Sequence, residues 1–122
     1  MILGFKPDFV PQIIAGTKVH TIRAGSRWAN GQVIHFYTVT GQDNMTKFQP
    51  DGVVKSVQVI RVEVINDTAL VEIDGRELLG SELAEFIRRD GFESLDLLLY
   101  FLDSYNGLPF IGQLIHWTDL RY

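Results

Sequence analysis

The sequence contains no cysteine among its 122 residues. This excludes disulfide bonds, thiolate zinc sites and cysteine nucleophiles, and a domain of this length can bury an adequate core without them. The sequence also lacks any apolar run long enough to cross a membrane. The apolar residues 1–5 are too short for a secretion signal and have no basic residues before them. We therefore expect a cytoplasmic protein with no membrane association.

Several common enzyme signatures are missing as well. The sequence has no P-loop, no Gly-x-Ser-x-Gly elbow and no dinucleotide-binding fingerprint. Its three histidines, His20, His35 and His116, form no i, i+4 pair and have no acidic trio nearby in the sequence. We therefore expect neither a metal site nor a cofactor.

Composition and charge indicate an ordinary globular chain. Hydrophobic residues make up 46% and charged residues 21%, which favours a single domain over residues 1–122, with a monomer as the default. Residues 1–61 carry a net charge of +4, whereas residues 62–122 carry −8. An acidic protein with few clustered arginines is not suited to sequence-independent duplex binding. A nucleic-acid partner would therefore be a single strand, a folded RNA or a nucleotide.

The hydrophobic pattern predicts an α+β fold with a mostly antiparallel sheet and about three helices. Asp8 and Pro11 indicate the first turn of a helix over 8–15, Ser81 indicates the start of a helix ending near 90, and Ser94 that of a helix over 95–105. We expect a polar loop over 41–52. The predicted strands cover residues 1–5, 19–23, 32–40, 53–65, 68–73 and 110–117.

The longest predicted strand changes the phase of its apolar positions. Val57 and Val59 are odd-numbered, whereas Ile60, Val62 and Val64 are even-numbered. A strand with a period of two cannot change phase without an extra residue, so a bulge or bend near Val59 and Ile60 is expected. Bent long strands are typical of sheets that curl into small β-barrels.

A polar cluster lies where the first helix meets the next strand. It contains Lys18, His20, Thr21 and Arg23, and Gly16 ends the helix before it. In an ideal strand Lys18 and His20 share one face, and Thr21 and Arg23 share the other. Lys18 can therefore lie on the same side as Thr21 and Arg23 only if it belongs to the turn after Gly16. The cations suit anion or carbonyl recognition, although exposed solubilising charges are an equally simple interpretation.

Three stretches resemble the ASCH domains, which are relatives of the PUA RNA-binding domain. Residues 14–23 read Ile-Ala-Gly-Thr-Lys-Val-His-Thr-Ile-Arg, and residues 89–94 resemble the family's acidic-Gly-Phe motif. Residues 107–110 and 114–117 resemble the final strand of a bacterial and phage subset. The resemblance implies a small PUA-like β-barrel, with a cleft beside the helices that binds RNA or a modified nucleoside or nucleotide.

In that interpretation Lys18 and Arg23 contact phosphate or carbonyl oxygens, and His20 and Thr21 contact a base edge. Aromatic residues stack on a base unless they belong to the core, and Trp28 is the least expected in the core because it lies in a loop. The expected ligand-binding residues are Lys6, His20, Arg23, Trp28, Tyr37 and Trp117.

One branch of the family implies catalysis instead. Its members are small amidohydrolases that deacetylate acetylcytidine with a lysine and a threonine of the first motif and an acidic residue of the second. The matching residues are Lys18, Thr21 and Asp90. The amidohydrolases have glutamate at the third position, and the shorter aspartate would move a general base by about 1 Å or more, a misplacement that can cost on the order of a hundredfold in rate.

The acidic half of the chain leaves a third class open. Glu82, Glu85 and Glu93 contribute to the −8 charge of residues 62–122 and would suit a basic partner protein.

Overall fold

The computed structural model describes residues 1–40 and 44–122. In that part of the chain the fold is α+β, as predicted, with three α-helices and nine strands. The helices are α1 (Val10–Ala15), α2 (Gly80–Arg89) and α3 (Leu95–Tyr105), and a 3-10 turn (Pro7–Phe9) precedes α1. The strands are β1 (Ile2–Phe5), β2 (His20–Ala24), β3 (Val33–Val39), β4 (Met45–Lys47), β5 (Gly52–Val53), β6 (Ser56–Ile65), β7 (Thr68–Ile73), β8 (Arg76–Glu77) and β9 (Phe110–His116).

The strands form two sheets. One has five antiparallel strands in the order β2-β9-β6-β7-β8, and the other has β3 at its centre, flanked by β1, β4 and β5. Among the strand pairs of residues 1–40 and 44–122, only β1 and β3 run parallel. The mostly antiparallel sheet is therefore confirmed. Neither sheet closes into a barrel among the described residues.

The predicted bulge at Val59 and Ile60 is wrong. The pairing of β6 with β9 continues without interruption from Ser56 to Val62, and Ile60 and Val62 are buried while Val59 is exposed. The same inward face carries the buried polar residues Ser56 and Gln58, which made the apolar pattern look out of phase. The chain changes sheet earlier, between β5 and β6.

Two of the predicted helix caps are also wrong. Ser94 accepts a hydrogen bond from the Leu97 amide at 3.2 Å and begins α3 as predicted. Ser81, however, lies inside α2, whose N-cap is Leu79, and Asp8 lies inside the 3-10 turn before α1. Helix α2 therefore begins one residue before Ser81, whereas α1 begins two residues after Asp8, because a separate 3-10 turn from Pro7 precedes it.

The loop predicted over 41–52 is replaced in part by short strands. Residues 41–43 lie outside the described residues, and the remainder contains β4 and the first residue of β5. Both strands pair with β3, so backbone hydrogen bonds form short strands in a segment whose mostly polar sequence does not indicate them.

Two hydrophobic clusters stabilise the fold. The larger one joins the five-stranded sheet to α2 and α3, and the smaller one covers the inner face of the other sheet together with Ile13 of α1. Helix α3 packs on the larger cluster through Leu98 and Leu102, whereas Leu97 and Tyr100 are 48% and 74% exposed. Only one face of this apolar helix is therefore buried. Among the described residues, no helix is long and apolar enough to span a membrane.

Candidate functional site

A cavity of about 240 Å³ lies where the two hydrophobic clusters meet. Its walls come from the residues around β1, from β2 and from the ends of α2 and α3. Five of the predicted site residues line it, although they are spread over most of the chain. These residues are Lys6, Lys18, Thr21, Arg23 and Asp90.

Lys18 reaches the cavity from the turn that follows α1. Gly16 ends the helix with a left-handed backbone (φ 79°), and the amides of Thr17 and Lys18 both donate to the Gln12 carbonyl. Strand β2 begins only at His20, so Lys18 is not bound by the alternation of the strand. The turn allows it to face the same cavity as Thr21 and Arg23.

The Lys18 ammonium is buried and has three acceptors. Its Nζ donates to the His20 carbonyl at 2.9 Å and to the Asp90 carbonyl, and it lies 3.5 Å from the Asp90 carboxylate oxygen Oδ1. Asp90 is the C-cap of α2, so the cation also lies at the negative end of the helix dipole. Three acceptors match the three protons of an ammonium group. Lys18 therefore holds the end of α2 against β2.

Burial changes the protonation of this lysine. Removal from water lowers the pKa of Lys18 from 10.5 to about 8, although the Asp90 carboxylate opposes the shift, and the nearby Arg23 adds to it. At pH 7 the group is mostly charged, with roughly a tenth in the neutral form by the Henderson relation. A lysine with such a pKa exchanges a proton near neutral pH.

Asp90 is held by a chain of hydrogen bonds that leads away from the cavity. The same oxygen, Oδ1, lies 2.9 Å from His20 Nδ1, and His20 Nε2 lies 2.8 Å from the Tyr122 hydroxyl. Burial lowers the pKa of His20 and raises the pKa of Tyr122, so the imidazole is neutral and the phenol protonated at pH 7. Because a carboxylate only accepts, the consistent arrangement has Nδ1–H donating to Asp90 and the Tyr122 hydroxyl donating to Nε2.

Arg23 orients Thr21 and links the two sheets. Its Nη1 donates to Thr21 Oγ1 and to the Ile22 carbonyl, both at 2.8 Å, and its Nη2 donates to the Gly4 carbonyl of β1 at 2.6 Å. The guanidinium also lies 5.1 Å from the centre of the Phe5 ring. Since Thr21 Oγ1 accepts from Arg23, its own proton remains available to donate into the cavity.

Aromatic rings that sequence reasoning missed form the apolar walls. Phe9, Phe92 and Phe101 pack edge to face, with centroid distances of 5.3 to 6.2 Å. The Lys6 ammonium lies 4.8 Å from the Tyr105 ring centre. Phe92 lies within the motif that supplies Asp90, and Phe9 lies five residues before the motif that supplies Lys18. That proximity was the available signal.

Gly91 brings α2 close to α1 directly beside Asp90. Its φ of +96° is a conformation that favours glycine, and a Cβ at this position would lie 2.8 Å from Gln12 Oε1 and 2.9 Å from Phe9. Both the backbone and the space therefore require glycine. The residue after Asp90 thus fixes the distance between the Asp90 turn and a wall of the cavity.

The other predicted ligand residues lie elsewhere. Trp28 is 3% exposed because the Gln113 side chain pairs with both its amide and its carbonyl and holds the loop in the smaller cluster. Trp117 packs on Phe5 and Phe36, and Tyr37 lies half-buried in β3. None of the three aromatic candidates lines the cavity.

The three histidines have different surroundings. His20 is fully buried behind Asp90 and does not line the cavity. His116 Nε2 lies 2.9 Å from Gln58 Oε1, and burial lowers the pKa of His116 to about 4. His35 lies on the surface, 3.0 Å from Asp51. Across residues 1–40 and 44–122, no group of three or more acidic or histidine side chains is arranged to bind a metal ion.

The acidic half of the chain is partly neutralised by ion pairs. Glu82 lies 2.6 Å from Arg76, and Glu85 lies 2.6 Å from Arg88 and 3.2 Å from Arg89. These surface pairs reduce the negative charge that α2 presents to a partner.

Comparisons with known proteins give no relative for this chain. No family model matches the sequence, no curated protein matches it, and no solved structure matches the fold. The resemblance to ASCH domains therefore depends on the motifs quoted above.

Proposed function

We propose that this protein is an ASCH-type domain whose cavity binds a nucleoside or nucleotide, free or as an unpaired base of RNA. One observation carries the proposal. Lys18 and Asp90 belong to two separate motifs of that family and meet in a single cavity with aromatic walls. A concave, largely apolar site with a few convergent polar groups is the usual form of a small-molecule site.

A PUA-like barrel is part of the same proposal. The chain passes from one sheet to the other at β5–β6, and Arg23 of β2 donates to the Gly4 carbonyl of β1. The Gly31 amide donates to the Val54 carbonyl at 2.8 Å, and the Lys55 amide donates to the His116 carbonyl at 2.9 Å. These links support two sheets that curve around a shared interior.

The polar groups of the cavity suit the edge of a base. The Asp90 carboxylate accepts, as the exocyclic amino groups of cytosine, adenine and guanine require, whereas the Thr21 hydroxyl and the Arg23 guanidinium donate. Ligand pockets usually exceed roughly 300 Å³, so this cavity suits a single base better than a longer segment. We therefore expect cytidine, adenosine and guanosine to bind more tightly than uridine.

Calorimetric titration at low salt with the four nucleosides and a short single-stranded RNA tests the proposal. Asp90→Asn should weaken binding of the amino-bearing nucleosides by about tenfold, because it removes a charge-assisted hydrogen bond. Glu93→Gln is the matched control, since Glu93 is exposed and does not line the cavity. If none of the probes binds, the proposal is wrong.

Hydrolysis of an N-acylated nucleoside such as acetylcytidine is the second candidate. The three residues that the amidohydrolase branch implies, Lys18, Thr21 and Asp90, all line the cavity. Asp90 would take a proton from a water that attacks the acetyl carbonyl, the C–N bond would break, and the amine would leave with a proton as acetate forms. Lys18 would stabilise the oxyanion by exchanging one of its present acceptors for it.

Chromatographic detection of cytidine released from N4-acetylcytidine tests this candidate. Wild type should release cytidine, and Lys18→Met should lose the activity by a factor on the order of a hundred. Asp90→Glu restores the longer acid of the amidohydrolases and should raise the rate. Equal or zero turnover in wild type and Lys18→Met contradicts the enzymatic role.

A further inference from the structure

The cavity contains more positive than negative charge. Among the residues that the structure describes, Lys6, Lys18 and Arg23 line it, and Asp90 is the only acidic lining residue. Asp90 is already paired with Lys18. Two cations therefore remain without a negative partner in the lining.

Among the described residues, the hydrogen-bond partners of Arg23 are all neutral, although the Asp90 carboxylate, which is already paired with Lys18, also acts on the pKa of Arg23. Its guanidinium donates to a hydroxyl and to two main-chain carbonyls, and it packs against the Phe5 ring. In the part of the chain that the structure describes, its side chain forms no ion pair with a carboxylate. Placing a charge away from water is costly unless an opposite charge compensates it. Three neutral acceptors hold the guanidinium in place but do not neutralise it.

Lys6 lies near the main-chain group that this guanidinium binds. Arg23 donates to the Gly4 carbonyl, and Lys6 follows Gly4 by two residues at the end of β1. The Lys6 side chain is exposed, and its ammonium lies against the rings of Phe101 and Tyr105. The Arg23 guanidinium is thus half-buried, with its N–H donors held in a fixed orientation. The Lys6 ammonium lies at the solvent-exposed side of the cavity.

We infer that Arg23 and Lys6 form an anion subsite that binds a phosphate group of the nucleotide held in the cavity. The inference rests on the proposed function and makes it more specific: the preferred ligand carries a phosphate and is not a neutral nucleoside. Guanidinium groups with orienting partners suit the fork geometry of phosphate oxygens, and a lysine adds a second point charge. The phosphate belongs either to a free nucleotide or to an RNA backbone.

The first test compares four nucleosides with their 5′-monophosphates by calorimetric titration at low salt. In wild type each monophosphate that binds should do so at least about tenfold more tightly than its nucleoside. Arg23→Gln should reduce this ratio to about twofold or less. The ratio is the readout because Arg23 also faces the base edge, so the nucleoside affinity itself is expected to fall in this variant. Arg61→Gln is the control, because Arg61 is exposed and outside the cavity, yet the charge change is the same.

A second pair of variants leaves the hydrogen bond between Arg23 and the Gly4 carbonyl, which joins the two sheets, unchanged. Lys6→Gln alters an exposed side chain and should lower the monophosphate-to-nucleoside ratio by about threefold or more, whereas Lys55→Gln, also exposed but outside the cavity, should leave it unchanged. The dinucleotide cytidylyl-cytidine distinguishes the phosphate sources. If it binds at least as tightly as cytidine monophosphate, the source is an RNA backbone; weaker binding indicates a free nucleotide.

The outcomes separate this inference from the proposed function. If nucleosides bind and their monophosphates bind no more tightly, or if Arg61→Gln lowers the ratio as much as Arg23→Gln, the anion subsite is wrong and the nucleoside site remains. If neither nucleosides nor monophosphates bind, the proposed function fails as well.

Discussion

Lys18 and Asp90 are 72 residues apart in sequence and are joined through both the main chain and the side chain of Asp90. The carbonyl contact is the kind that stabilises the end of a helix, and the carboxylate contact is an ion pair inside a cavity. The same two residues therefore fix the position of α2 and provide opposite charges to a ligand. The predictions below separate these two roles.

The first prediction concerns the protonation of Lys18. Its pKa is about 8 in the folded protein, and the Asp90 carboxylate holds it above the value that burial alone would give. Asp90→Asn removes that charge, so the Lys18 pKa should decrease further below 8. An NMR titration of the lysine Cε and Nζ signals measures it. An unchanged pKa in Asp90→Asn, or an equal decrease in Glu93→Gln, would contradict the ion pair.

The second prediction concerns stability in acid. The pKa of His116 is lowered to about 4 by burial, whereas in the unfolded chain it is near 6.5. Between these values the unfolded state gains a proton that the folded state does not, so the free energy of unfolding decreases as the pH falls from about 6.5 to 4. His116 should account for roughly 3 kcal/mol of this decrease, with the full stability present above pH 6.5.

Denaturant titrations at several pH values measure the effect of His116→Gln on this pH dependence. The variant should show a smaller decrease than wild type. His35→Gln is the control, because His35 lies at the surface beside Asp51. The prediction fails if the two variants have equal slopes of unfolding free energy against pH.

The third prediction concerns Gly91. Gly91→Ala places a methyl group against Gln12 and Phe9 at a positive φ. Gly25→Ala also requires a positive φ, of 84°, but its methyl group would have no atom within 4 Å. Gly25→Ala should cost about 1 kcal/mol of unfolding free energy from the backbone alone. Gly91→Ala should cost about 2–4 kcal/mol, since steric overlap is added. Chemical denaturation measures both, and equal costs would show that the helices do not approach as closely as described.

The fourth prediction separates the support of Asp90 from ligand contact. Tyr122→Phe leaves His20 Nε2 buried without its partner and should lower the free energy of unfolding by about 1–2 kcal/mol. Nucleoside affinity should change by less than about threefold, because Tyr122 does not line the cavity. Tyr100→Phe, at a residue that is 74% exposed, should affect neither quantity. A large loss of affinity without a loss of stability would show instead that Tyr122 contacts the ligand.

Local signals predicted many of the element boundaries. Ser94 began a helix, Gly16 ended one, and the strand predicted over 68–73 matches β7. Those features depend on interactions between residues a few positions apart, which a sequence displays directly. Local signals failed at the caps Ser81 and Asp8, and the error in β6 occurred where a distant partner decides. Gln58 is buried because His116 and the Tyr122 main chain bond it, and that changed the apparent phase of β6.

The sequence by itself determined which chemical groups this protein has for a site: an amine, a hydroxyl and a guanidinium in one short stretch, and an acid before a glycine in another. Only the tertiary structure decided that Lys18 meets Asp90, that His20 supports the acid from behind, and that Trp28 belongs to the core while Phe9 and Phe92 line the cavity. The physical reason is the separation along the chain of the residues that interact. Turns and caps are stabilised within a few residues, whereas a cavity forms only when helices and sheets from distant parts of the chain pack together.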